Sequence, residues 1–229
     1  MTHIVVLGGT GNIGQAVLAA LSQQGLTATF TYHRSQEKAE ALAAKYQHRA
    51  VRVDLSEVEQ TRRFFRSQEK LDVLLHCAGI SQAAKLSEIT LAQFEEMQAV
   101  NVRSAFIACQ EVAPKMTEGG HIVLLGAIDG TQTVPAPAHF AASQGALVGL
   151  TRALAKELGP KKILINLVAL GVLEGGISRE LSPKLLEDYQ HFSAMRRVGS
   201  PQEAAKAILW VALQNTYMTG RVIPVNGGL

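Results

Sequence analysis

Cysteine and net charge are both scarce in this chain of 229 residues, and each scarcity excludes a class of protein. The two cysteines, Cys77 and Cys109, lie inside apolar runs without a CxxC pair or a His/Cys cluster nearby. This pattern excludes a disulfide-rich scaffold and gives no reason to expect a metal site, so both thiols are predicted to be buried and reduced. A formal net charge of only +3, with scattered basic residues, argues against nucleic acid as a partner.

Long hydrophobic runs are also lacking. No apolar segment is long enough to span a bilayer, and residues 2–7 lead directly into a predicted strand rather than into a leader peptide. We therefore expect a cytoplasmic protein with no membrane partner. Hydrophobic residues make up 47% of the sequence and charged residues 18%, a balance that favours a globular domain with a large core over a disordered chain.

Short β-branched runs alternate with segments of helical periodicity from one end of the chain to the other. We predict strands at 3–7, 27–32, 49–53, 72–76, 121–125, 162–168 and 221–225. We predict helices at 13–24, 36–46, 57–67, 91–116, 138–158 and 201–213. This order is typical of an α/β protein: a Rossmann-type doubly wound parallel sheet of about seven strands, with helices on both faces, in a single domain.

Two parts of this domain are expected to differ in role. Residues 1–120 would form the nucleotide-binding half, and residues 121–229 the active-site and substrate half. The stretch 171–195 is rich in glycine and serine and interrupts the regular alternation. We expect it to be an irregular, mobile lid over the substrate.

A glycine-rich turn directly follows the first predicted strand and opens the first predicted helix. Glycines allow the backbone to turn tightly and to approach a pyrophosphate, and the amino end of the helix offers free N–H groups and partial positive charge to phosphates. Because the turn lies between a strand and a helix, we predict that it binds a dinucleotide. The candidate residues are Gly8, Thr10, Gly11, Ile13 and Gly14.

No acidic residue ends the second predicted strand, where an Asp or Glu would accept hydrogen bonds from the ribose 2′-hydroxyl of NAD. Arg34 and Ser35 stand there instead. A guanidinium group forks onto phosphate oxygens, so this pair favours NADP(H), with its 2′-phosphate, over NAD(H). The alternative is that Arg34 is only a solvated charge at a strand end.

Residues 137–158, PAHFAASQGALVGLTRALAKEL, resemble the active-site helix of the short-chain dehydrogenase/reductase family, in which the signature is Tyr-x-x-x-Lys. The carboxy-terminal part, 197–228, is similar to the bacterial 3-oxoacyl-acyl-carrier-protein reductases. The resemblance covers nearly the whole chain. One departure is the glycine spacing, because the family's common pattern Thr-Gly-x-x-x-Gly-x-Gly would place a glycine at Asn12.

The same resemblance assigns the adenosine half of a nucleotide to two short segments. Asp54 and Leu55 would contact the adenine, and Ala78 and Gly79 would let the adenosine ribose lie against the fourth strand. On residue type alone, Asp54 fits a helix N-cap almost as well. Both roles for Asp54 therefore stay open.

The catalytic positions of the family fall on residues without its chemistry. In the family a tyrosine gives the proton, a lysine lowers the pKa of that tyrosine, and a serine holds the carbonyl. The resemblance places these three at Phe140, Gln144 and Ala127, and none of the four tyrosines lies within 137–158. Asn101 alone is retained. The resemblance thus implies a reductase scaffold without its standard proton chemistry.

Three functions stay open at this point. The first is a pseudoenzyme or partner subunit in fatty-acid- or polyketide-type acyl metabolism, with NADP(H) as its cofactor if it has any. The second is a non-redox dehydratase or isomerase on an acyl substrate that uses Asp129 and His139, although surface or structural roles for both are more common. The third is an NADPH-dependent oxidoreductase with an unusual proton donor, for which Tyr189 is a weak candidate.

The resemblance also implies partners. It suggests a homo- or hetero-oligomer, a dimer or a tetramer, built from the paired helices 91–116 and 138–158 and from the last strand. An active short-chain reductase is the candidate partner subunit. An acyl carrier protein or an acyl thioester is the candidate ligand.

Overall fold

The computed structural model describes residues 2–127 and 136–229, apart from the side chains of residues 117 and 118. The strands in these residues are β1 (Ile4–Leu7), β2 (Ala28–Tyr32), β3 (Arg49–Arg52), β4 (Leu71–His76), β5 (Met116–Gly126), β6 (Leu164–Leu170) and β7 (Val222–Val225). They pair in parallel in the order β3-β2-β1-β4-β5-β6-β7. This arrangement confirms the predicted doubly wound sheet.

Helices lie on both faces of the sheet. In the described residues they are α1 (Asn12–Gln23), α2 (Gln36–Tyr46), α3 (Val58–Arg66), α4 (Leu91–Gln98), α5 (Ser104–Val112), α6 (Ala138–Leu158), α7 (Pro183–Phe192) and α8 (Pro201–Leu213). Side chains of α1, α2 and α8 form a core with one face, and side chains of α3, α5 and α6 form a second core with the other.

The central strands are apolar throughout because both of their faces are covered. In β4, Leu74 joins the core with α3, α5 and α6, and the next residue, Leu75, joins the core with α1, α2 and α8. Ile122 and Val123 of β5 divide in the same way. Each fully buried side chain of this kind contributes about 1.5–3 kcal/mol to folding, so the two cores fix the register of the sheet.

One predicted helix, 91–116, is interrupted in the structure. A π turn, Ala99–Arg103, separates α4 from α5, and β5 begins at Met116 rather than at residue 121. The adjacent glycines at 119 and 120 favour a turn in the sequence, but Gly119, with φ 84°, instead lies within β5, which pairs with β4 through an irregular register. The π turn lies next to the functional region, as π turns often do.

The stretch 171–195 contains regular structure, so the prediction of an irregular segment is wrong. A 3₁₀ turn covers Gly176–Glu180, and α7 follows it. The Ser182 side chain accepts a hydrogen bond from the backbone N–H of Leu185, and Pro183 occupies the first turn of α7. A serine followed by a proline is a helix-start signal that the glycine and serine content concealed.

Both cysteines are free. Cys109 is buried in the core, where burial raises the pKa of its thiol to about 12. Cys77 is half-buried and lines a cavity, so the prediction of buried thiols is confirmed only for Cys109. No group of His, Cys, Asp or Glu side chains in the described ranges could hold a metal ion.

Within residues 2–127 and 136–229, every helix is too short or too polar to cross a bilayer.

Candidate functional site

A cavity of about 380 Å³ opens at the carboxyl edge of the sheet. It lies where β1 and β4 are neighbours and the strand order reverses, which is the usual position of a ligand in an open α/β sheet. The glycine-rich turn, the ends of β4 to β6, α6 and the segment after β6 enclose it. Of the predicted site residues, its lining includes Gly11, Ile13, Ala78, Gly79, Asn101, Ala127, Phe140 and Gln144.

The glycine-rich turn packs so tightly that no side chain fits at Gly8 or Gly14. Gly8 has φ 75°, and a Cβ there would lie 2.8 Å from the Cα of Ala78. A Cβ on Gly14 would collide with the backbone oxygen of Gly8. Thr10 belongs to the same turn, where its carbonyl accepts a hydrogen bond from the Gln15 side chain. Gly8, Thr10 and Gly14 therefore shape the turn from outside the cavity lining.

The amino end of α1 faces the cavity without a side-chain cap. Its N-cap residue is Gly11, and its first turn carries no acidic residue. Gly11, Asn12 and Ile13 all line the cavity. The partial positive charge and backbone N–H groups of this helix end therefore suit a phosphate group.

Exposed polar side chains follow the end of β2. Arg34 and Ser35 are exposed to solvent at the carboxyl edge of the sheet, beside the cavity rather than in its lining. Because β2 is the direct neighbour of β1, they lie on the same edge as the glycine-rich turn. An extended ligand that reached from the cavity across β1 would meet them.

Asp54, after β3, makes a local turn rather than a helix cap. Its carboxylate accepts hydrogen bonds from the backbone N–H and the hydroxyl of Ser56, at 2.9 and 2.6 Å. Helix α3 begins later, with Glu57 as its N-cap, so the N-cap alternative for Asp54 is wrong. The other carboxylate oxygen lies 3.3 Å from Nε2 of His33. Leu55 is buried in the core beside it.

The pKa of Asp54 is lowered by this setting. Burial alone would raise it, but the hydrogen bonds from Ser56 and the charges of His33 and Arg34 outweigh the burial. The carboxylate is therefore ionised at neutral pH and able to accept a further hydrogen bond.

A hydrogen-bonded network lies at the opposite end of the cavity. Oδ1 of Asn101 accepts from the backbone N–H of Ile80 at 2.9 Å, and its Nδ2 donates to the carbonyl of Ile80 and to Oγ of Ser143, both at 3.0 Å. Ser143 in turn donates to the carbonyl of Phe140 at 2.7 Å. Asn101 is thus bonded both to the segment after β4, at Ile80, and to α6, at Ser143. Sequence reasoning did not assign Ser143 this linking role.

Gln144 joins this network to the end of β5. Its Oε1 accepts from the backbone N–H of Ala127 at 2.9 Å, and its Nε2 donates to Oγ of Ser143 at 3.1 Å. Both polar ends of the carboxamide are therefore bonded within the chain. Gln144 is buried, and so is the Phe140 ring, with an exposed fraction of 8%. What Ala127, Phe140 and Gln144 present to the cavity is neither a hydroxyl nor an ammonium group.

Of the two substitute acid–base residues, His139 does not reach the cavity lining that the structure describes. His139 is 2% exposed, and both of its ring nitrogens are buried without a hydrogen-bond partner among residues 2–127 and 136–229. Consecutive helical residues point about 100° apart, so His139 diverges from Phe140. Asp129 lies outside the described residues.

Tyr189 of α7 does reach the cavity. Its hydroxyl donates to the carbonyl of Asn226 at 2.7 Å. Burial raises the pKa of Tyr189, and a hydrogen bond from the backbone of Val172 offsets only part of that effect. A phenol that already donates its proton and has a raised pKa is a poor general acid.

His76, at the end of β4, is a neutral interior side chain. Its Nε2 lies 2.7 Å from Oγ of Ser104, and that hydroxyl donates to the carbonyl of Val100. Nε2 must therefore carry the hydrogen. Burial lowers the pKa of His76 to about 4.

The sequence of the chain is similar to those of known proteins over nearly its whole length. A family model described as enoyl-(acyl carrier protein) reductase matches residues 9–229. The 3-oxoacyl-[acyl-carrier-protein] reductase of Aquifex aeolicus (strain VF5) is 31% identical over 237 residues, which cover 98% of this chain and 96% of that protein.

Solved structures agree with this match. A short-chain dehydrogenase/reductase from Serratia marcescens BCRC 10948 superimposes with a TM-score of 0.92 at 30% identity, over 99% of this chain and 97% of the other. A short chain dehydrogenase from Burkholderia cenocepacia J2315, solved in complex with NADP, has a TM-score of 0.92 at 28% identity, again over 99% and 97%.

Proposed function

Because the chain belongs to the short-chain dehydrogenase/reductase family, we propose that it binds NADP(H) along the carboxyl edge of its sheet without the family's standard ketoreductase activity. It would act as a pseudoenzyme or partner subunit in fatty-acid- or polyketide-type acyl metabolism. The observation that carries the proposal is the Gln144 carboxamide, which is bonded at one end to Ala127 and at the other to Ser143. Gln144 occupies the position of the family's lysine, but its carboxamide bonds to groups of the protein itself instead of to a cofactor or a proton donor.

The residues at the nucleotide end fit NADP(H). The uncapped amino end of α1, at Gly11 and Ile13, would hold the pyrophosphate, in the turn that the close packing at Gly8 and Gly14 shapes. Ala78 and Gly79 leave room for the adenosine ribose, because a Cβ on Gly79 would meet only Oδ1 of Asn101, at 3.6 Å. Arg34 would pair with the 2′-phosphate. The NADP-bound Burkholderia relative supports this assignment.

The adenine would lie beside Asp54 and Leu55, with Ser35 next to the 2′-phosphate. The ionised Asp54 can accept a hydrogen bond from an adenine amino group, although His33 lies 3.3 Å away and would have to share it. When bound, NADPH supplies a hydride. This chain's own part is to hold and orient the nucleotide.

The reactive end is predicted not to complete a reduction. A ketone that receives a hydride needs a proton and donors for its oxygen. Loss of a general acid typically costs ~10²–10⁴ in rate, and loss of an oxyanion donor ~10²–10³. Phe140 has no proton to give, and Ala127 has no hydroxyl to donate. These losses overlap, but either one removes most of an ordinary enzyme's rate.

The two alternatives receive less support from the side chains. A dehydratase or isomerase that uses His139 would need that ring in the cavity, and an oxidoreductase that uses Tyr189 would need a free phenol. His139 is absent from the described lining, and Tyr189 donates to Asn226. Neither alternative is favoured by a specific contact.

Partner binding is part of the same proposal. Phe94 of α4 and Phe106 of α5 are 39% and 47% exposed, which fits helices that pair with another subunit. The partner would be a second copy or an active short-chain reductase, with an acyl carrier protein or acyl thioester as the ligand. The acyl setting is supported by the Aquifex relative.

Calorimetric titration tests the proposal. The isolated protein should bind NADPH more tightly than NADH, and it should leave NADPH unconsumed when a β-ketoacyl thioester is added. Failure to bind either nucleotide would remove the cofactor half of the proposal. Ordinary turnover of NADPH by the isolated protein would remove the other half.

A further inference from the structure

A hydrogen bond joins the two sides of the cavity at its nucleotide end. The Nδ2 of Asn12, the first residue of α1, donates to the carbonyl of Glu174 at 2.7 Å. These residues are 162 positions apart in the chain. The bond therefore ties the glycine-rich turn to the segment that follows β6.

The segment 174–176 is shaped to lie against Asn12. Gly175 and Gly176 have φ 74° and 59°, values that favour glycine. A Cβ on Gly176 would lie 2.9 Å from the Cβ of Asn12, and one on Gly175 would lie 3.3 Å from its Oδ1. Any other residue at 176 would push the segment away from Asn12.

The far side of the segment is held by the rest of the protein. The backbone N–H of Glu174 donates to the carbonyl of Gly199 at 2.9 Å, and Ser178 accepts a hydrogen bond from the backbone N–H of Leu173. The segment is therefore a strap, anchored at Gly199 on one side and closed on Asn12 at the other.

The strap meets the amino end of α1, where the pyrophosphate is proposed to bind. Asn12, Gly175 and Gly176 line the same cavity as Gly11 and Ile13. The Asn12–Glu174 bond thus lies at the nucleotide end of the cavity, beside this proposed position. A molecule with a pyrophosphate there and groups on both sides must pass this bond, whereas a molecule confined to the β2 edge need not.

We infer that Asn12 is a positioning residue that closes the 174–176 strap over the pyrophosphate of a bound dinucleotide. Entry and release then both require the Asn12–Glu174 bond to open. The inference rests on the proposed NADP(H) binding and adds to it the residue that governs its kinetics. Since one hydrogen bond is at stake, its removal should raise both rates about 2- to 10-fold and change the affinity less.

Stopped-flow fluorescence of NADPH with the variant N12A tests this inference. N12A should accelerate association and dissociation of NADPH together. Adenosine 2′-monophosphate, which has no pyrophosphate, should bind N12A and wild type at the same rates. The control is Q15A, because Gln15 bonds to the carbonyls of Thr10 and Gly11 in the same turn but not to the strap.

Unchanged NADPH rates in N12A, or an equal change for adenosine 2′-monophosphate, would overturn the inference. If wild type binds neither nucleotide, the proposed function fails. Hydrogen exchange then tests separately whether Asn12 holds the 174–176 strap closed. The backbone amide of Glu174, which donates to the carbonyl of Gly199, should exchange faster in N12A than in Q15A. Equal exchange in the two variants would show that Asn12 does not hold the strap.

Discussion

The two ends of the cavity use their polar groups in opposite ways. At the nucleotide end, α1 starts without a side-chain cap, and Arg34 is exposed to solvent. At the reactive end, Asn101, Ser143 and Gln144 bond to one another and to the backbone. A helix end that faces open space can bind a charged ligand at little cost, whereas polar groups that are already bonded must first give up partners. On the proposed function, one scaffold would keep its binding edge while the polar groups at its other edge become structural.

The largest expected effect comes from restoring the three family groups at the reactive end. The variant A127S/F140Y/Q144K regains a hydroxyl donor, a proton donor and an ammonium group at once. Its consumption of NADPH with a β-ketoacyl thioester should exceed that of wild type by at least about 10²-fold, since each group type contributes about that much. F140Y alone is the control and should gain far less, because no lysine lowers the pKa of its phenol.

A folded triple variant that is no faster than wild type would break the comparison. The reactive end would then lack more than these three side chains. Circular dichroism and the NADPH affinity of the variant establish that the fold and the binding edge are intact before the rates are compared.

The next effect concerns His76, which is buried at the last position of β4, outside the described cavity lining. Its folded pKa is about 4, below the 6.5 of an exposed histidine. As the pH falls below about 6.5, the histidine in the unfolded chain binds a proton while His76 in the folded protein stays neutral. The free energy of unfolding that this difference contributes is complete above about pH 6.5 and decreases progressively between pH 6.5 and about pH 4. The loss should reach about 3 kcal/mol. Urea unfolding of wild type and H76N across this range measures it, and H76N should lack this part of the pH dependence.

If both proteins lose stability in parallel between pH 6.5 and 4, His76 is not the neutral buried side chain that the structure describes. Carboxylates also titrate near the lower limit of this range. Only the difference between the two curves therefore carries the prediction.

Arg34 gives a smaller effect that is confined to the nucleotide end. Replacing it by alanine should weaken NADPH binding about 10- to 100-fold, since a charge-assisted hydrogen bond contributes about 1.5–3 kcal/mol. NADH has no 2′-phosphate, so its affinity should not change. R49A is the matched control, because Arg49 is an exposed arginine at the amino end of β3. Equal losses for NADPH and NADH would show that Arg34 acts on the fold rather than on the 2′-phosphate.

Much of the binding edge could be predicted from the sequence because it depends on local signals. A strand, a glycine-rich turn and a helix follow one another in the chain, so Gly8, Gly11 and Gly14 could be placed in the turn before any fold was known, and their role in binding stays a prediction. Arg34 lies two residues after the end of β2, so its position at the same edge of the sheet also follows from the order of the chain. The alternation of apolar runs with helical segments likewise predicted the parallel sheet.

The reactive end could not be predicted in the same way because its contacts are long-range. Asn101 and Ser143 are 42 residues apart in the chain. Gln144 of α6 likewise bonds to a distant residue, Ala127, which follows β5. Sequence identifies which groups are missing there but not what the replacements bond to. The Asn12–Glu174 contact was hidden for the same reason. The π turn that carries Asn101 was missed because its residues fit a continuous helix.

The smallest expected change in NADPH affinity is that of a variant at Gln144, and it distinguishes a structural glutamine from a ligand-binding one. Q144M keeps the length and volume of the side chain but removes both hydrogen bonds, and it leaves the backbone N–H of Ala127 without its partner. The free energy of unfolding should fall by about 1–3 kcal/mol, because two neutral hydrogen bonds are lost and each contributes about 0.5–1.5 kcal/mol. The Kd for NADPH should stay within about twofold, since α1 and Arg34 hold the nucleotide elsewhere. Q98A is the control, because the Gln98 carboxamide donates to the carbonyl of His139 in α6, outside the described cavity lining. A tenfold loss of NADPH affinity in Q144M with unchanged stability would mean that Gln144 serves the ligand, and the contrast between the two ends would then no longer hold.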